Sequence, residues 1–403
     1  MTTTRRLHTQ QDMRRRNLAA VLYAVADGGP ASRARVADRI GLTRTAVSTL
    51  VDDLLAAGLL AEAGLGHSGA PGRPGTVLAL SDRGPCGLGA EIGVDHLAVC
   101  AVDLRGRVRA RAAVDSANRG SAPEPVLARL AALVTRVHDE VTAAGLHPAG
   151  LRVAVPGLVS RDRAHVVQAP NLGWRDVDLT TGPLAAHAPL TADNEANLGA
   201  LAELWIGDPV CRTGDVLHIS AEIGIGSAIL TDGRLLRGNR GFAGELGHVP
   251  VRRRGENCAC GGRGCLEQYA GEAALLRAVG LDPARAVADH PGPGARSAYL
   301  AGRAEHGDPD VLRALRGAGT DLGIALTGAT HLLDPHALVL GGALAVLAPW
   351  LLPSLTAELT RRLGTAPPLV VSRLGADGPL LGAAHAVTRT VLDDPLRTGT
   401  APG

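Results

Sequence analysis

The chain has 403 residues, 46% apolar and 20% charged, so it can form two or three globular domains. Aromatics are only 2%, which leaves Leu, Val and Ala to fill the cores. No 18-residue apolar run can span a bilayer and MTTTRRLHTQQDMRRR has no secretory h-region, so a cytoplasmic protein with no membrane partner is expected. The net charge of +2 is unevenly placed: residues 1–50 hold nine Arg against Asp12, Asp27 and Asp38. A basic first segment on a slightly acidic remainder points to a local polyanionic partner.

Leu18, Val21, Leu22 and Val25 recur at helical spacing between Arg14 and Ala26 and predict a first helix, ended by Gly28-Gly29-Pro30. Ser32 is a good N-cap for a short helix through Ile40. Gly41 makes a turn, Thr43 caps a third helix from Arg44 to Ala57, and Gly58 stops it. Helix, short Gly turn, helix is the helix-turn-helix pattern. Leu59–Ala63 and Thr76–Leu80 read as two strands around a Gly/Pro loop, which makes the unit a winged helix-turn-helix over residues 1–83. On the outer face of the third helix, Arg44, Thr45, Ser48 and Thr49 are the candidate DNA contacts. Arg can fork onto guanine in the major groove, and the hydroxyls serve bases or phosphates. In the wing, Arg73 of Gly72-Arg73-Pro74 is placed to enter a minor groove.

From Gly84 the pattern changes to an α/β one. Cys86–Asp103 is β-rich with a turn at Asp95-His96, Arg107–Ala113 offers another strand, Pro125–Ala144 is an amphipathic helix, and Leu151–Val155 is a buried strand. These predict one lobe over 84–189. A second lobe is expected over 190–403, with a helix capped by Asp193–Asn197, a hairpin turning at Asp232-Gly233, a buried strand at Ala337–Leu340 and a tail helix near Leu380–Val391. Asp282–Gly307, rich in Pro, Gly and Ala, reads as loop.

The densest chemistry lies in GFAGELGHVPVRRRGENCACGGRGCLEQ, Gly241 to Gln268. It holds Cys258, Cys260 and Cys265, with His248 ten positions before the first. Three thiolates and one imidazole close a four-coordinate structural Zn²⁺ site with no open position for water. Gly224-Ile225-Gly226 is not a dinucleotide fingerprint, because Ala228-Ile229-Leu230 continues as a strand where that motif requires a helix.

Gly-Glu-x-Gly-His followed by Cys-x-Cys-Gly-x-x-Gly-Cys-x-Glu resembles the signature of the ROK family (repressors, open reading frames and kinases), over roughly Arg14 to Val387. The resemblance implies an actin-like (ribonuclease H-like), two-lobed sugar-kinase-type domain after the winged helix, and a zinc-braced sugar pocket. It also implies the sugar-binding residues Gly157, Asn171, Asn194, Glu195, Glu245, His248 and Glu267. Carboxylates and carboxamides suit a ring of vicinal hydroxyls, since they accept and donate in pairs.

The phosphate-handling parts depart from the family's kinases. Their Asp-x-Gly-Gly-Thr loop becomes Glu91-Ile92-Gly93-Val94-Asp95, Glu195 stands at the catalytic Asp position, and Ala221-Glu222-Ile223 replaces a Thr-rich lead. Phosphoryl transfer rests on positioning and charge stabilisation, so three such changes predict a non-enzyme with no catalytic residue. The expectation is a sugar-responsive regulator, more often a repressor, of carbohydrate uptake or catabolism genes. It would bind a palindromic double-stranded operator as a homodimer or homotetramer. An active sugar kinase with a fused DNA-binding domain is the alternative, and a zinc-stabilised protein-interaction module is a third reading.

Overall fold

The apolar stripes of the first sixty residues fold as three helices around one core. The computed structural model describes residues 10–65, 76–160, 164–187 and 189–398. α1 (Gln10–Ala26) buries Leu18, Val21, Leu22 and Val25, and α2 (Arg33–Ile40) and α3 (Arg44–Ala56) close over it with Val36, Val47, Val51 and Leu54. Ser32 and Thr43 cap α2 and α3 by accepting the Arg35 and Ala46 backbone N–H groups. Gly41 between them sits at φ 69°, a left-handed turn that only glycine adopts at little cost. β1 (Ala31–Ser32), β2 (Leu60–Leu65) and β3 (Thr76–Leu80) form the antiparallel wing in the order β1-β3-β2. Arg73 lies outside the described residues.

The next two units share one plan. β4 (Gly84–Ile92), β5 (His96–Asp103) and β6 (Val108–Asp115) form an antiparallel meander, α4 (Pro123–Ala143) crosses over, and β7 (Leu146–Val155) returns parallel to β4. A small antiparallel sheet of β8 (Leu158–Val159), β9 (His165–Ala169) and β10 (Trp174–Asp178) caps this lobe. β11 (Leu190–Asn194) then pairs with β7 in parallel, giving the order β11-β7-β4-β5-β6. After α5 (Glu195–Ile206), a second meander follows: β12 (Val216–Ala221), β13 (Ile225–Thr231) and β14 (Arg234–Leu235). β15 (Ala337–Gly341) and β16 (Leu369–Val371) add parallel strands, giving β14-β13-β12-β15-β16. In each sheet the first strand is central, with its meander on one side and two parallel strands on the other. This is the two-lobed arrangement that the sequence predicts.

Two expectations need correction. The strand at Leu190 does not open the second lobe. Five consecutive residues pair with β7, from Leu190 opposite Leu151 to Asn194 opposite Val155, so it completes the first sheet. Nor is 282–307 a loop. Asp282 accepts the Ala284 N–H and Pro283 opens α8 (Pro283–Asp289), after α6 (Glu267–Ala270) and α7 (Glu272–Ala278). α9 (Ala295–Glu305) follows and buries Leu300, Ala301 and Ala304. The small Ala side chains here build a helical face rather than a turn.

α10 (Pro309–Leu333), α11 (Gly342–Val346) and α12 (Ala348–Leu363) pack against the second sheet. α5 and α13 (Gly378–Asp393) lie side by side between the two sheets. α13 approaches both neighbours closely: a Cβ at Gly382 would fall on the Leu198 carbonyl of α5, and one at Gly87 of β4 would fall on the Ala384 carbonyl. Among the described residues, no helix is long and apolar enough to cross a membrane.

Candidate functional site

The Cys-rich loop leaves the β13–β14 hairpin, whose turn is Asp232 (φ 50°) and Gly233 (φ 68°). It is held by short backbone ties: Cys258 N–H to the Gly262 carbonyl at 2.9 Å, Gly264 N–H to Glu256 at 2.8 Å, and Leu266 N–H to Val249 at 3.0 Å. Gly264, at φ 75°, passes so near the Arg252 carbonyl that no side chain fits. These ties converge His248, Cys258, Cys260 and Cys265, whose donor atoms all lie within 4.8 Å of one another. The Cys260 and Cys265 sulfurs are 3.7 Å apart, and His248 Nδ1 is 3.6 Å from the Cys258 sulfur. Tetrahedral thiolates on a centre at ~2.3 Å stand ~3.8 Å apart, close to both of these separations, so the donor set suits a metal ion. The Gly262 N–H holds the Cys260 thiol below its usual pKa, whereas burial pushes those of Cys258 and Cys265 up. A central cation favours the thiolate at all three.

The same loop gathers three side chains, His248, Glu245 and Glu267. His248 turns Nδ1 to the sulfurs and Nε2 to Glu245, 3.8 Å from its carboxylate. Glu267 Oε1 lies 3.0 Å from the Cys258 sulfur and 3.7 Å from His248 Nδ1. With Nδ1 on a metal, the imidazole keeps Nε2–H as a donor toward the Glu245 side. Glu267 also lines a cavity of about 790 Å³ between the lobes, together with Asn171, Val94 and Arg119 from the first lobe and Gly224 and Leu276 from the second. That volume is within the ~300–1,000 Å³ range of small-molecule sites.

A smaller pocket holds Gly157, Asn194 and Glu245. Asn194 is already engaged: its amide donates to the Gly157 carbonyl at 2.9 Å, and its oxygen accepts the Ala196 N–H at the start of α5. Glu195 follows on the first turn of α5, where burial and then the Glu91 charge push its pKa up to about 8. The structure therefore brings Glu245, His248 and Glu267 together. It sets Asn171 across the large cavity and uses Asn194 as a scaffold. Trp174 belongs to the core, with its indole N–H on the Ser121 carbonyl at 2.8 Å.

On the opposite wall of the same cavity the Asp95 carboxylate meets a cation that sequence reasoning missed, Arg296. Asp95 and His96 form the turn between β4 and β5, and Arg296 reaches them from α9 in the other lobe. Arg296 donates to Asp95 at 2.5 Å and to Glu272 at 2.5 Å, and all three are at most 5% exposed. His96 Nδ1 contacts Asp95 at 2.9 Å, and its Nε2 faces Glu91 at 3.7 Å. Burial alone would raise Asp95, but the His96 hydrogen bond and the Arg296 charge outweigh it and hold the pKa at about 2. Burial alone would lower His96, but Asp95, Glu91 and Glu222 carry it up to about 11. Arg237, also missed, grips Asp193 at 3.0 and 2.6 Å. No local signal marks these pairs, since Arg296 is 201 positions from Asp95.

On the winged helix, Arg44, Thr45 and Thr49 are exposed along α3 and Ser48 is half-buried beside them. Part of the basic charge is spent internally. Arg33 pairs with Asp52 at 2.7 Å, Arg14 with Asp53 at 2.6 Å, and Arg39 clamps the Ala24 and Gly28 carbonyls at 2.7 Å each.

Family models match at two places: MarR family over residues 16–68 and ROK family over residues 87–390. The chain is similar to the xylose repressor of Bacillus subtilis (strain 168), 30% identical over 94% of this chain and 96% of that protein. It is also similar to the glucokinase of Streptomyces coelicolor, 30% identical over 64% of this chain and 82% of the enzyme. Among solved structures, a ROK family transcriptional regulator homologous to the E. coli MLC protein covers 94% of this chain and 97% of its own, with TM-score 0.76 at 24% identity. A ROK glucokinase from Streptomyces griseus with glucose and AMPPNP covers 75% and 98%, with TM-score 0.62 at 26% identity. On two-lobed fold, Cys/His loop and sequence together, the chain belongs to the ROK family, with a MarR-type winged helix-turn-helix at its N-terminal side.

Proposed function

We propose that this chain is a sugar-responsive DNA-binding repressor that senses its sugar without phosphorylating it. One observation carries the reading: the two sides of the cleft are equipped differently. On the sugar side, Asn171 and Glu267 face the cavity of about 790 Å³, and Glu245 faces a smaller pocket with His248 beside it. Where a kinase would place nucleotide phosphates, Arg296 is already satisfied by Asp95 and Glu272, and the carboxyl groups of Glu91 and Glu222 crowd the same place. Glu195 is enclosed at the start of α5, where burial and the neighbouring Glu91 carboxyl push its pKa up. A structural Zn²⁺ on His248, Cys258, Cys260 and Cys265 would freeze the loop that aims Glu245 and Glu267, with Gly157, Asn194 and Glu195 completing the floor of the pocket.

In this reading Arg44, Thr45, Ser48 and Thr49 of α3, with Arg73 from the wing, contact an operator. A homodimer or homotetramer reads its half-sites. Relatives named xylose repressor make D-xylose the first effector to test. The similarity to glucokinases supports a second reading, an active sugar kinase with a DNA-binding head. The deciding experiment is a thermal-shift screen of pentoses, hexoses and their phosphates, then a gel shift with the best binder and an ADP-release assay. Sugar stabilisation with loss of the DNA complex and no ADP above background is expected. ADP release at a rate typical of kinases, ~1–100 per second, overturns it.

A further inference from the structure

A signal from the cleft must reach the winged helix through matter, and one line of contacts runs from the site along α5 to the end of α13 and the first helix. α5 starts at the site with Glu195 and ends at Trp205-Ile206, about 18 Å away for twelve residues at ~1.5 Å each. Over the Trp205 ring, with its guanidinium carbon 5.8 Å from the centroid, lies Arg389 of α13. The same guanidinium lies 5.4 Å from the Tyr23 ring of α1, in the DNA-binding head. Tyr23 donates its hydroxyl hydrogen to Asp393 at 2.6 Å, and Arg389 Nη1 is 3.9 Å from Asp27. Val391 and Leu392, at the end of α13, enter the core of the head. α13 packs closely on α5 where Gly382 meets the Leu198 carbonyl.

We infer that Arg389, packed between Trp205 and Tyr23, is the positioning residue that couples sugar binding to DNA binding. The inference rests on the sugar-responsive reading. A planar guanidinium between two rings depends on geometry: both contacts sit just inside the ~6 Å limit of such attraction, so a small slide of α5 breaks one of them. A shift at Glu195 then changes how Tyr23, and with it α1, is seated. α1 packs on α3 and pairs with it through Arg14–Asp53, so the reading helix follows. Arg389 touches neither ligand in this scheme. It sets how much each ligand changes the affinity for the other, and by linkage the two changes are equal.

The test uses the full chain, a duplex selected by the protein from a random-sequence pool, and D-xylose or D-glucose. Duplex affinity is measured by fluorescence anisotropy with and without sugar, and sugar affinity by calorimetry with and without duplex. Wild type is expected to show a sugar-dependent change in duplex affinity of about 5–150-fold. R389A is expected to keep each separate affinity within about threefold while the change shrinks to about twofold or less, and R389K, still cationic, to recover part of it. W205L removes the other half of the contact at a distance from the head and is expected to give the same loss, so a misfolded R389A would not leave the question open. Full wild-type coupling in W205L or in folded R389A overturns the joint. Wild type that binds the duplex but is unmoved by either sugar overturns the sugar-responsive reading itself.

Discussion

The two sides of the cleft meet the same problem, polar groups facing an interlobe gap, with opposite solutions. On the Asp95 side, Arg296 crosses from the second lobe and satisfies two carboxylates within the protein. On the Glu245 side Arg237 also crosses, to Asp193, but among the described residues no arginine pairs with Glu245 or Glu267, which the Cys/His loop sets beside His248, with Glu267 facing a cavity of about 790 Å³. A buried ion pair is stable only when its partners are fixed, whereas a binding site needs partners that arrive from solution. On the proposed function, the difference would let one fold keep a sugar grip while closing its phosphate end.

Removing the metal tests the open side most severely. Stripping Zn²⁺ with a chelator should abolish sugar binding and lower Tm by on the order of 20 °C, with elemental analysis giving one ion per chain beforehand. A metal-free preparation with unchanged Tm would break the comparison. On the closed side, R296M leaves Asp95 and Glu272 buried without a cation and should cost about 3–5 kcal/mol, read from the urea midpoint. An unshifted midpoint would show that this side relaxes and is not locked. E245Q should weaken sugar binding about 10–100-fold in calorimetry and leave the urea midpoint where it was, because Glu245 is half-exposed and faces the pocket.

The smallest effect is in pH. Glu195 at about 8 and His96 at about 11 keep protons that the unfolded chain releases near ~4.5 and ~6.5. Between pH 6 and 9 the folded state thus binds more protons than the unfolded one, and stability falls as pH rises. E195Q should make that decline shallower by a few degrees of Tm across the same interval, followed by scanning calorimetry.

The winged helix was legible because its signals are local: Ser32 and Thr43 as caps, Gly41 as the turn, and a single apolar stripe in α1. The Cys/His cluster was legible for the same reason, since its ligands fall within eighteen residues. β11 was assigned to the wrong lobe because a strand's partner is chosen by tertiary pairing, and nothing in Leu-Thr-Ala-Asp-Asn says which sheet will take it. α8 and α9 were hidden because Pro and Gly mark helix ends as well as loops, and Pro283 opens a helix here. Arg296 could not be read at all. An Arg in an Ala-rich helix looks like any solvated charge until the fold sets it against Asp95 and Glu272.

The placement of α13 has a consequence for biosynthesis. It covers β4 and β5, yet it follows the last strand of that sheet by about 200 residues. At a translation rate of ~5–20 residues per second, that apolar surface waits roughly 10–40 s for its cover. The nascent first lobe is therefore a natural client for chaperones, and a ribosome stalled before residue 378 would release a chain with its stickiest face bare.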